Sequence, residues 1–73
     1  MREKHTPRTL DSLALAYFLS GEAGRAAAVQ RRAIALLGDA DPQLRAALEE
    51  KLAKYVRAAE EAGLEIPDDE EVI

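Results

Sequence analysis

The chain has 73 residues, no cysteine, one histidine and a formal net charge of −4, with 48% hydrophobic and 33% charged residues. That length gives one small domain. The missing thiols exclude disulfide staples and cysteine chemistry, and a single histidine excludes a histidine-rich metal site. No apolar run approaches the ~20 residues that span a bilayer, and the polar start Met1-Arg2-Glu3-Lys4-His5 lacks the apolar core of a secretory signal; the expectation is a cytoplasmic protein with no membrane association.

Alanine and leucine interleaved with charges, and few aromatics, favour helix, so the expected fold class is all-α. The charge is unevenly spread. Residues 1–58 carry ten bases against seven acids, a net of +3, whereas residues 59–73 carry seven acids and no base, a net of −7. Three divisions follow: residues 1–5 as a flexible start, 6–63 as a three-helix domain, and 64–73 as an acidic tail.

Thr6-Pro7 is a helix start, with Thr as N-cap and Pro where its missing N–H is harmless. The first helix is expected from Pro7 to Leu19, stopped by Ser20-Gly21. The second is expected over 22–37, with Glu22 suited to the positive end of the helix dipole, Gly24 tolerated in a frayed first turn and Gly38 as C-cap. Asp41-Pro42 repeats the start signal. The third helix, Pro42 to Ala62, carries an apolar stripe of Leu44, Leu48, Leu52, Tyr55, Val56 and Ala59. Glu50 with Lys54, and Arg57 with Glu61, are spaced as i,i+4 ion pairs. Gly63 is the stop, with Leu64 placed for the hydrophobic contact that accompanies such a cap.

Leu10, Leu13, Ala14 and Tyr17, then Gly21, then Ala26 and Ala33, run in one unbroken register. The chain here resembles a tetratricopeptide repeat, with Leu10 at the usual Trp position and Ala26 and Ala33 at the small positions of the second helix. The pattern departs at Gln30, which replaces an aromatic, and at Gly38, which replaces the closing Pro. The third helix does not restart the pattern and looks like the capping helix of an array. The resemblance implies a helix hairpin plus a capping helix. It also implies a ligand-facing surface on the first helix at Arg8, Asp11, Leu15, Phe18 and Leu19. One repeat is too little to bury its own faces, so a homo-oligomer or the end of a longer array is expected.

Catalysis finds no support. His5 stands alone, Ser12 and Ser20 have no histidine beside them, and no phosphate-binding loop is present. Asp39 with Asp41 could hold a cation, but Asp41 is already used as a helix cap, and the acids at 68–71 lack the glycine and spacing of a calcium loop. No cofactor or metal is expected. Arg25, Arg31, Arg32, Arg45, Lys51, Lys54 and Arg57 are read as solvated helix faces, not a nucleic-acid surface, because aromatics are not interleaved with them. The ending Glu70-Glu71-Val72-Ile73 is similar to the Glu-Glu-Val-Asp tails of heat-shock chaperones. The positions of a tetratricopeptide clamp for such tails are Asp11 and Leu15 here, which implies that this chain is not that receptor. The functional expectation is a non-catalytic protein–protein interaction module that self-associates through apolar helix faces. The alternative is an end-piece of a scaffold that holds a peptide of another protein, with residues 64–73 able to fill the same groove.

Overall fold

Two local signals at each helix start act as the sequence suggests. In the computed structural model, which describes residues 6–67, α1 spans Pro7–Leu19, α2 Ala23–Leu37 and α3 Pro42–Ala62, and no strand occurs among the described residues. The Thr9 amide donates to Thr6 Oγ1 at 3.1 Å, and the Leu44 amide donates to Asp41 Oδ1 at 3.1 Å, so each side chain satisfies a helix-end N–H that the helix itself leaves free. Glu22 is the N-cap of α2 and makes no side-chain cap bond; its carboxylate instead meets Arg25 at 3.4 Å.

The helix ends are closed by glycine. Gly21 takes φ +86°, which lets the Glu22 amide reach back to the Tyr17 carbonyl at 2.9 Å and turns the chain sharply into α2. Gly63 is left-handed, and the Leu64 amide closes the last turn of α3 on the Ala59 carbonyl at 2.8 Å.

The core is arranged around α2. Ala26, Ala27, Ala28, Val29 and Gln30 are consecutive and fully buried. Successive helical residues point about 100° apart, so these five face every direction around the axis, and α2 is enclosed along this stretch while Arg25 and Arg31 beside it stay exposed. Leu10 and Ala14 of α1, and Leu48 and Tyr55 of α3, meet Ala26, Ala27, Val29 and Ala33 of α2 in one cluster. Leu13, Tyr17, Leu44, Leu52 and Val56 pack at its margin. The α3 stripe therefore lies where its spacing places it.

The remaining side of α2 is covered by residues 64–67, and here the sequence reading is corrected. Gly24 is buried, not frayed. A Cβ at Gly24 would overlap the Glu65 carbonyl oxygen and sit 3.1 Å from the Glu65 carbonyl carbon and 3.7 Å from Leu64 Cβ. Ile66 packs against the core cluster. These residues are a strap across the first turn of α2, and the folded unit runs on past residue 63. The surface charges of α3 also differ from expectation. Lys54 lies over the Phe18 ring, 5.2 Å from its centroid, and the ion pair formed along α3 is Arg45 with Glu49 at 3.0 Å. Among the described residues neither Glu50 with Lys54 nor Arg57 with Glu61 forms an ion pair, and exposed pairs of this kind are worth little.

The strap makes Gly24 a sensitive position. In a helix interior Ala is normally better than Gly by about 1 kcal/mol, but displacing a backbone carbonyl is overpacking that costs about 1–3 kcal/mol. Gly24→Ala is expected to lower the urea midpoint; a midpoint equal to or above that of the parent would show that the strap is not seated there.

Candidate functional site

The five first-helix residues expected to face a ligand do not act as one surface. Asp11 and Phe18 turn toward α3, whereas Arg8 is exposed, Leu15 is 43% exposed and Leu19 is 74% exposed. Residues at i and i+4 share a helix side, so Leu15 and Leu19 form an outward apolar pair beside the inward pair.

Asp11 belongs to a polar junction of all three helices. Gln30 Nε2 donates to Asp11 Oδ1 at 3.1 Å and to the Leu48 carbonyl at 3.0 Å, and Lys51 Nζ donates to Asp11 Oδ2 at 2.9 Å. The amide orientation is fixed by these partners, because the reverse would set an amide oxygen against a carboxylate and a carbonyl. Gln30 Oε1 is buried with no partner among the described groups. Gln30 was visible in the sequence only as a departure from an aromatic position. Its signal is register: Gln30 stands four residues after Ala26 and three before Ala33, on the same buried side of α2.

Phe18 belongs to a second junction. Its ring lies 4.9 Å from that of Tyr55, tilted by 34°, and the Lys54 ammonium also lies over it. Beyond it opens a cleft of about 460 Å³ lined by Phe18, Ala53, Lys54, Arg57, Ala58 and Glu61. The α3 residues recur at i, i+1, i+4, i+5 and i+8, which is one helix face. A separate cleft of about 370 Å³ lies at the other junction, between the first turn of α2 and residues 64–67.

The repeat-signature residues come together. Leu10, Ala14, Ala26 and Ala33 are fully buried, Leu13 and Tyr17 pack on them, and Gly21 holds the turn. Several of the basic side chains have internal partners: Arg25 with Glu22, Arg45 with Glu49 and the Gly38 carbonyl, Lys51 with Asp11, and Lys54 on Phe18. Asp41 is used as a cap, and Asp39 stands fully in solvent with a long 3.5 Å contact to Arg45. Among the described residues no three acidic, histidine or cysteine side chains gather as metal ligands, and no helix is long and apolar enough to cross a membrane. His5, the acids at 68–71, Val72 and Ile73 lie outside the described residues.

No family model, curated protein or solved structure matches this chain.

Two groups at the Asp11 junction have displaced pKa values. The hydrogen bond to Asp11 holds the Lys51 ammonium above its ordinary 10.5, against a smaller opposing effect of burial. Burial pushes the Tyr55 phenol above its ordinary 10.0, with the Asp11 charge adding to it and Lys51 opposing. Both shifts mean that the folded chain holds protons that the unfolded chain has released. Stability from each is full below the ordinary value and fades as pH rises through the folded value. Denaturation midpoints are therefore expected to fall as pH is raised from about 10, and a midpoint flat across that range would contradict the junction. Asp11→Ala leaves Lys51 unpaired and Gln30 with one acceptor; hydrogen bonds to charged groups of this kind are worth about 1.5–3 kcal/mol, which is the expected loss in urea denaturation at neutral pH.

Proposed function

We propose that this chain is a non-catalytic, cytoplasmic protein-interaction module of tetratricopeptide-like build that associates with copies of itself through the outward face of α1. The observation that carries it is the exposed Leu15 and Leu19 pair beside the half-buried Phe18. Large aliphatic side chains standing together in water are stabilised when a partner covers them. The buried Leu10, Ala14, Ala26 and Ala33, with Gly21 at the turn, support the repeat-like build of α1 and α2. A second reading, a scaffold end-piece that takes a peptide of another protein, draws support from the cleft beside Phe18.

Light scattering on a sizing column across a dilution series tests the reading. The expected result is a mass at least twice the 8.0 kDa of one chain, falling to one chain in Leu15→Asp and Leu19→Asp with helix content kept. Leu19 is the better probe than Phe18, whose ring is committed to Tyr55. An unchanged mass in both variants overturns self-association through this face.

A further inference from the structure

The cleft between the last turns of α1 and the outer face of α3 has an apolar floor and a cationic rim. Phe18, Ala53 and Ala58 form the floor, Lys54 and Arg57 the rim, and Glu61 stands at one end. The small side chains at 53 and 58 leave the room that the cleft occupies. Such a surface fits a short segment that pairs carboxylates with aliphatic side chains. The chain itself contains one. Residues 68–73 read Asp-Asp-Glu-Glu-Val-Ile, within a stretch whose net charge of −7 opposes the +3 of residues 1–58.

We propose that residues 68–73 of one copy of this chain occupy the Phe18 cleft of a second copy. Glu70 and Glu71 meet Lys54 and Arg57, and Val72 and Ile73 cover Phe18, Ala53 and Ala58. The proposal rests on the self-association reading and names the segment that the second copy contributes. The donor is a second copy because of where the strap leaves the chain. Residues 64–67 are held on α2 at Gly24, and the cleft there shares no lining residue with the Phe18 cleft. Gly24 lies about a third of a turn around α2 from Gln30, the side chain that meets both α1 and α3. The strap ends at Pro67 beside the first turn of α2, whereas the Phe18 cleft is lined by residues of α1 and α3. Each copy offers one cleft and one segment, so two copies can exchange segments in a closed symmetric pair, whereas one-way donation would extend into a ring or a filament.

Charge reversal in the full chain tests this. Lys54→Glu with Arg57→Glu, and separately Glu70→Lys with Glu71→Lys, are each expected to weaken association at least tenfold by light scattering, with helix content unchanged in circular dichroism. Placing all four substitutions in one chain restores it. Association of the parent weakens as salt is raised, because the paired charges stand at a solvent-exposed rim. If the parent associates and both reversals leave its dissociation constant unchanged, the tail proposal is overturned and self-association through Leu15 and Leu19 stands. If each pair of reversals abolishes association and the fourfold variant does not recover it, the loss is general repulsion and the proposal also fails. A parent that stays a single chain at every concentration overturns both readings, including the case in which the segment folds back on its own cleft.

Discussion

Close approach to α2 is the constraint on which everything else rests. Alanine at 26, 27, 28 and 33 lets α1 and α3 come near its axis, and alanine loses no side-chain rotamer freedom on burial. The same choice limits how much apolar area each residue removes from water. A domain of this length buries only about 60% of the surface of its unfolded chain, so the few large buried side chains carry a disproportionate share. These are Tyr55, Leu10, Leu48 and Val29, and three helices contribute them. No single helix pair retains a core without the third element.

Gln30 gives this apolar arrangement its register. Alanine surfaces are nearly featureless, and helices packed on them have several near-equivalent settings. An amide that must reach a carboxylate on α1 and a carbonyl on α3 together selects one. Lys51 completes the pair by occupying the second carboxylate oxygen. The junction thus spends Asp11 on folding, which is why a residue expected on a ligand surface is turned inward.

Local signals were legible and distant contacts were not. The caps at Thr6 and Asp41, the turn at Gly21 and the stop at Gly63 each depend on neighbours within a few residues, so the sequence displays them directly. The Leu48, Tyr55 and Ala59 stripe was legible because a helix has a fixed period. Gly24 was misread because its cause, the Glu65 carbonyl, is far along the chain. The ion pair assigned to Lys54 failed for a related reason: the i,i+4 rule compares neighbours on one helix and takes no account of a ring arriving from another. The candidate surface on α1 came from the resemblance, and only the position of α3 separates its inward residues Asp11 and Phe18 from its outward residues Leu15 and Leu19.

The strap also carries the packed structure past the last helix. A helix C-cap is the natural place to draw a domain boundary, and Gly63 is a complete one, with both closing bonds made. Yet a fragment cut there would uncover the first turn of α2 and leave Gly24 as a notch in the helix surface. Cleavage after Pro67 would leave that cover in place. The cover over α2 thus reaches at least five residues past the last helix, to Pro67, and is seated by a carbonyl resting on a glycine.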